Sequence, residues 1–493
     1  MLLKFREQPP LVRFLGAIML LHLVLWTLVP ELLYSILPLD SLEAVAWGSG
    51  FSLGNAKHPP LTGWIAGLTA GATGHADWPI YLLSQLCVAG AMACVYLLAR
   101  EFFGREESAL AALAPEFIFY YNVTSPEFNV NMPLLLLWPA AALFFVRAYR
   151  RDRISDWILL GAASGLCLIC KYTSALLFAA FAVFLMLSKE RRRLLLTAGP
   201  WIAAGSFCVV VLPHAMWALT GGIAVMRTYV EKRMATGADA SWFQLLVLNV
   251  LRILGNAFLV YLIPLGAFWL SKFERPRMPA DPVRREGALF SAVMTGVPLL
   301  VMVVIGLSGR AVRTMWLVPL FFPLGILLTA LFSPDWTEKQ LKRFCVSVLV
   351  FFFLCLLGVA VALSAKSDRR RHFPARQFTA EMSRMYEERT GRPLEIVAGN
   401  AWLAGMFRQY APGHPEGCIA KNQSELDRLG PMLKDRGGLA VADDCPEDIA
   451  DILDWYGVPD APVFTMDFEY RSLFGKKRKR TIDLAILEPA AAK

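Results

Sequence analysis

Long apolar runs recur through the first three quarters of this chain, and they decide its fold class before any motif is read. A helix needs roughly 20 apolar residues to cross the hydrocarbon core of a bilayer. About eleven stretches reach or approach that length: Leu11 to Leu33, Pro79 to Ala99, Ala109 to Tyr121, Met132 to Ala148, Trp157 to Ile169, Tyr172 to Leu187, Leu194 to Pro213, Leu245 to Leu270, Ala288 to Leu307, Val312 to Phe332 and Phe344 to Leu363. The short ones read as half-spans. Of 493 residues, 56% are hydrophobic and only 18% charged, with a mean hydropathy of +0.48. Soluble domains carry about 25% charged residues. The fold class expected is therefore mainly α: a polytopic membrane helix bundle of about 11 to 13 spans or half-spans, followed by a small exported α/β unit.

Basic residues assign a side to each loop, because cytoplasmic loops hold the excess of Lys and Arg. Starting inside with Lys4, Arg6 and Arg13, the alternation places Arg100 and Arg105, Arg147 to Arg153, Lys189 to Arg193, Lys272 to Arg285, and Lys339 to Arg343 all inside. An odd number of spans then exports everything after Ser364. The net charge of +9 is spread over these short loops rather than gathered on one soluble face, so no nucleic-acid partner is expected. The first span reads as an uncleaved anchor, since no small-residue cleavage site follows it.

Composition changes after Lys366, which divides the chain into a transmembrane unit, 1–366, and an exported α/β unit, 367–493. In the second, Leu394 to Gly399, Gly438 to Ala442 and Thr481 to Leu487 read as strands, and Leu403 to Tyr410 and Cys445 to Trp455 as helices. Seven of the nine cysteines lie in apolar spans, where thiols behave as small hydrophobes. Cys418 and Cys445 lie in the exported tail and are the disulfide candidate. The basic run Lys476 to Arg480 suits anionic lipid headgroups or a solvated hairpin edge.

Chemistry gathers in the exported loops. Asp40 and Glu43 open the first of these, and Lys57-His58-Pro59-Pro60 follows fourteen residues after Glu43. Acids three apart can converge on one ligand from the start of a helix; the same Asp-Ser-Leu-Glu spacing also fits a capping box. Cations on this side run against the topological bias: Lys57, Lys171, Arg227, Lys232, Arg233, Arg310 and Arg313. Lys171 falls between two apolar stretches, where an ionisable group is a functional candidate. Arg310 and Arg313 can share one helical face and grip a phosphate. Glu116, Glu127, Asn129 and Asn131 are polar groups close to the bilayer, which usually line a cavity. The loop from His214 to Gln244 reads as a lid.

Several of these segments resemble bacterial members of the dolichyl-phosphate-mannose protein mannosyltransferase superfamily, which includes the aminoarabinose transferase of lipid A and rhizobial galacturonosyltransferases. The resemblance rests on Asp40-Ser41-Leu42-Glu43-Ala44 with Trp47, on Lys57-His58-Pro59-Pro60-Leu61 with Trp64, and on Phe128-Asn129-Val130-Asn131-Met132-Pro133-Leu134. Gly161 to Tyr172, Arg310 to Pro319 and Gly399 to Gly405 add to it. It implies the GT-C fold and an integral membrane glycosyltransferase acting with inversion. The donor is expected to be a polyprenyl-phosphate-linked sugar, and the acceptor a glycolipid or lipopolysaccharide, lipid A or core, at the periplasmic face of a bacterial inner membrane. Asp40 and Glu43 are the catalytic candidates, Lys57, His58, Lys171, Arg310 and Arg313 bind the donor phosphate, and Glu116, Glu127, Asn129 and Asn131 meet acceptor or sugar. No metal site and no cofactor is firmly implied; a divalent cation has no support in the sequence. Two departures stand out: the family's adjacent Asp-Glu is here split into Asp40 and Glu43, and Asn131 stands where many members carry Asp. A flippase of lipid-linked sugars and a protein O-glycosyltransferase are the competing readings.

Overall fold

The computed structural model describes residues 8–234, 241–273, 275–308, 312, 314–332, 336–365, 370–420, 423–443, 446–471 and 474–489. Its apolar part comprises α1 (Pro10–Leu33), α2 (Leu39–Trp47), α3 (Leu61–Ala72), α4 (Trp78–Ala99), α5 (Arg105–Leu113), α6 (Asn131–Arg151), α7 (Ile154–Cys170), α8 (Ala175–Met186), α9 (Ala198–Trp217), α10 (Ile223–Met234), α11 (Trp242–Leu270), α12 (Pro282–Leu307), α13 (Leu324–Leu331) and α14 (Glu338–Ala365). Among the described residues, 7 helices are long and apolar enough to cross a membrane, or up to 8 if a pair bent by 111° after Met186 counts as one span. The other expected spans are helical but broken. Pro115 follows α5 and diverts the chain into two 3-10 turns, Ala114–Phe117 and Phe119–Tyr121. The tenth begins as a 3-10 helix, Thr314–Phe321, and becomes α13 only after Pro323.

Helix α1 shows why these runs pack as they do. Leu11, Leu15, Ile18, His22 and Trp26 are buried at helical spacing, while Leu20, Val24, Leu28 and Leu32, four apart, are exposed. An apolar stripe left outside in this way is solvated by lipid chains, not water. Close approach between spans uses small residues: a Cβ at Gly161 of α7 would lie 2.1 Å from the carbonyl oxygen of Ala203 in α9. The basic loops gather at one end of the bundle, where Arg147 bonds Glu101 at 3.0 Å and Arg191 bonds Glu286 at 2.9 Å. Asp40 and the loops around it occupy the other end.

After α14 the chain builds α15 (Ala375–Thr390), β1 (Ile396–Gly399), α16 (Ala401–Tyr410), β2 (Glu416–Ile419), α17 (Gln423–Arg436), β3 (Gly438–Asp443), α18 (Pro446–Tyr456), β4 (Val463–Tyr470) and β5 (Arg478–Leu487). The sheet order is β2-β1-β3-β5-β4; β1 pairs in parallel with β2 and β3, and β5 antiparallel with β3 and β4. Every residue of β1 and β3 is buried, as expected of short apolar strands covered on both faces. In the basic run, Lys477 bonds Glu469 and Lys479 bonds Asp467 across the β4–β5 hairpin, which is the solvated-edge arrangement. Cys418, buried in β2, is a free thiol; its expected disulfide partner is Cys445. Cys445 lies outside the described residues.

This unit does not sit apart from the helices. One apolar core runs from Leu11 through to Leu484. Helix α16 lies on α2 so closely that a Cβ at Gly405 would come within 2.4 Å of the Leu42 carbonyl oxygen. Polar bonds reinforce the seam: the Leu37 amide donates to the Tyr410 hydroxyl at 2.7 Å, and Tyr410 and Gln409 both donate to Asp77, each at 3.0 Å.

Candidate active site

Pro38 is the residue before α2, and it has no side chain able to cap. Asp40 therefore sits inside the first helical turn and makes no capping bond. Glu43, one turn further, reaches across to the Lys57 ammonium. The capping-box alternative is thus not realised, because Pro38 and not Asp40 occupies the N-cap position. Lys57 and His58 are held by Asn55, whose side-chain oxygen accepts from both backbone amides, at 3.0 and 2.9 Å. The Lys57 ammonium also lies 5.4 Å from the centre of the Trp47 ring, and His58 packs edge-on to the same ring.

A second cation arrives from the bundle. Helix α7 ends at Cys170, and Lys171 turns to extended backbone, which swings its side chain toward the start of α6. There its ammonium donates to the Asn131 side-chain oxygen at 2.7 Å. Asn129 in turn accepts from the Asn131 amide at 2.9 Å. Asp40, Glu43, Lys57, His58, Asn129, Asn131 and Lys171 all line one cavity of about 220 Å³. Burial, then the charges of Lys171 and Lys57, holds His58 well below the ordinary imidazole range. His58 is accordingly neutral at pH 7, and among the described residues the cationic charge of the cavity comes from the two lysines.

The remaining expectations divide. Glu127 does not line this cavity, yet it adjoins it: its carboxylate accepts from the Asp40 amide at 3.1 Å. Burial, with the nearby Asp40 charge adding to it, pushes Glu127 up to about 7. Glu116 is a correction to the cavity-lining expectation. It is fully buried and sealed within the bundle, 2.9 Å from His22 Nε2, with its backbone carbonyl accepting from Asn122. A polar group at membrane depth needs a partner, and here the partner is a histidine of α1 rather than a substrate. Arg310 and Arg313 lie outside the described residues, although Met315 and Trp316, just beyond them, line the cavity. Arg227 pairs with Glu231 at 2.7 Å on an exposed surface, and the side chains of Lys232 and Arg233 lie outside the described residues. The loop after His214 supplies α10, whose Met226 and Val230 cover the cavity.

Sequence reasoning passed over Thr62, Tyr172, Met226 and Trp316 as cavity residues. Tyr172 stood inside the Cys-Lys-Tyr segment; its hydroxyl meets His214 Nε2 at 2.8 Å, while His214 Nδ1 meets the Leu53 carbonyl at 2.8 Å. His214 thereby ties α9 to the first loop. Among the described residues no group of three or more His, Cys, Asp or Glu gathers to hold a metal ion.

Opposed lysines and acids in a cavity with apolar walls can hold a lipid phosphate and orient a nucleophile beside it. Known proteins resemble this chain in sequence and in fold. The model of the family "Dolichyl-phosphate-mannose-protein mannosyltransferase" matches residues 57–217. The lipopolysaccharide core galacturonosyltransferase RgtA of Rhizobium johnstonii is 24% identical over 424 residues, 81% of this chain and 80% of the relative. Its counterpart RgtB is 25% identical over 403 residues, 77% of each. Among solved structures, ArnT from Cupriavidus metallidurans bound to undecaprenyl phosphate superposes with a TM-score of 0.62 over 96% of this chain and 97% of that one, at 14% identity. Its apo state gives 0.60. The fold is that of ArnT, the GT-C architecture, and the resemblance to membrane glycosyltransferases of the protein mannosyltransferase superfamily, first carried by the Asp40, Lys57 and Asn129 segments, is borne out.

Proposed function

We propose that this multi-pass membrane protein transfers a sugar from a polyprenyl phosphate to a lipid-linked saccharide of lipopolysaccharide, core or lipid A. The observation that carries the reading is the single cavity in which Lys57 and Lys171 face Asp40 and Glu43. As the sugar leaves, negative charge grows on the phosphate oxygen, and fixed cations aimed there lower the barrier. Lys57 and Lys171 supply them. Glu43 already holds the Lys57 ammonium, so its role is to position that cation. Asp40 enters no ion pair among the described residues and is assigned as the base that takes the acceptor hydroxyl proton. Attack from the side opposite the phosphate inverts the anomeric centre.

The basic end of the bundle is assigned to the cytoplasm and the Asp40 end to the periplasmic face of the inner membrane, following the excess of Lys and Arg on inner loops. The transferase relatives favour this reading over a flippase. Purified protein, a polyprenyl-phosphate-linked uronic acid or aminopentose, and lipopolysaccharide acceptor in detergent form the test. Sugar transfer without vesicles is expected; absence of transfer from every polyprenyl donor tried, with folded protein, overturns it.

A further inference from the structure

Across the Asp40–Glu127 contact from the cavity, two other hollows meet. One, of about 360 Å³, is bordered by Arg370, Arg371 and Arg480. The other, of about 510 Å³, is a groove between Tyr34 and the last turns of α14, walled by Leu354, Val359 and Ala362. Glu127 and Arg371 line both. The three arginines are not equivalent. Asp443 bonds Arg480 at 2.6 Å and lies 3.8 Å from Arg370. Arg371 instead lies over the Tyr34 ring at 5.2 Å, and none of the described carboxylates comes within ion-pair distance of it. Helix α14 is among the long apolar spans, with Leu354, Leu357 and Val361 exposed on its outer face. An apolar slot opening from a lipid-facing helix onto a guanidinium that shares the hollow with Glu127 but is within ion-pair distance of no described carboxylate matches an amphiphile with acyl chains and a phosphate.

We propose that this groove is the acceptor port, taking a phosphorylated, acylated lipid with its chain between Tyr34 and α14 and its phosphate on Arg371. Its saccharide then reaches Glu127 and Asp40 from the side opposite the lysine cavity. The acceptor role rests on the transferase reading above; the lipid site itself does not. Two openings that meet at one pair of acids bring nucleophile and leaving group to opposite faces of the transferred sugar.

Binding in phosphatidylcholine nanodiscs separates the two claims, using phosphorylated lipid A, dephosphorylated lipid A and undecaprenyl phosphate as probes, read by native mass spectrometry. The wild type is expected to hold phosphorylated lipid A at least tenfold more tightly than the dephosphorylated form. Arg371→Glu removes that preference. Gly358→Trp fills the groove, since a Cβ at Gly358 meets nothing within 4 Å, and it weakens both forms of lipid A. Undecaprenyl phosphate binding stays within about twofold in both variants, which also shows that they fold. Unchanged lipid A binding in both variants, equal binding of the two lipid A forms by the wild type, or loss of undecaprenyl phosphate instead overturns the port. Binding as expected with no sugar transfer leaves the port standing and removes the transferase reading.

Discussion

Glu43 and Glu116 are both carboxylates paired with a base near an apolar span, yet they live in opposite surroundings. Glu43 bonds Lys57 on the wall of an open cavity, whereas Glu116 bonds His22 with both side chains fully buried. Around Glu116 the contacts run inward, with His22 Nδ1 meeting Gln85 at 3.3 Å and Gln85 donating to Ser125 at 3.1 Å, while Glu116 Oε1 is buried without a hydrogen-bond partner. The comparison shows that an acid in a membrane protein acquires a chemical role from the space beside it, not from its depth. Where protein fills that space, the same pair serves packing and specificity.

The comparison breaks first at Asp40. Asp40→Asn keeps the shape and removes the base, so transfer is expected to fall about 10²- to 10⁴-fold with unchanged melting behaviour; near wild-type turnover in a radiolabelled-sugar assay would transfer the role elsewhere. Lys57→Ala and Lys171→Ala come next, each expected to lower kcat about 10²- to 10³-fold, as for loss of a fixed charge-stabilising group. Glu116→Gln sharpens the contrast from the other side. It is expected to retain most activity and to lose about 1–3 kcal/mol of stability, since the buried His22 ring is left with a less well matched hydrogen-bond partner. Thermal unfolding in detergent reads the loss, and a large activity defect in a stable variant would make Glu116 functional after all.

The smallest effect is one of pH. With Glu127 raised to about 7 from an ordinary carboxylate value, the folded state binds a proton more tightly than the unfolded chain does. That contribution is fully present below about 4.5, lost as pH rises through about 7, and constant above. Stability is therefore expected to fall over this window in the wild type and to fall less in Glu127→Gln, in matched denaturation curves.

Much of the fold was legible because membrane spans announce themselves by length. Among the described residues the apolar runs fall largely in helical segments, and the broken ones carry the signals that break them, Pro115 and Pro323. The β1, β3 and β5 strands were readable as apolar runs, but β2 is four residues, Glu416-Gly417-Cys418-Ile419, too short to show a period. At the site, Lys57 and Lys171 stood out because cations are scarce in those loops. Glu116 misled because depth alone suggested a cavity; His22, a polar residue in the middle of the first apolar run, was the available sign of its partner. Arg371 was overlooked inside the polar stretch Ser367 to His372, since nothing local says that residues some 330 positions apart, Tyr34 and Arg371, come together.

Gly405 on Leu42 has a consequence for how the protein is made. Helix α2, which carries both Asp40 and Glu43, emerges early from the ribosome, but the surface it rests on is encoded more than 350 residues later. The nascent chain can insert every span and still lack a finished reaction centre. Activity would switch on only when the last quarter of the polypeptide has folded and closed over the first loop, so an interrupted translation product is inserted but inert.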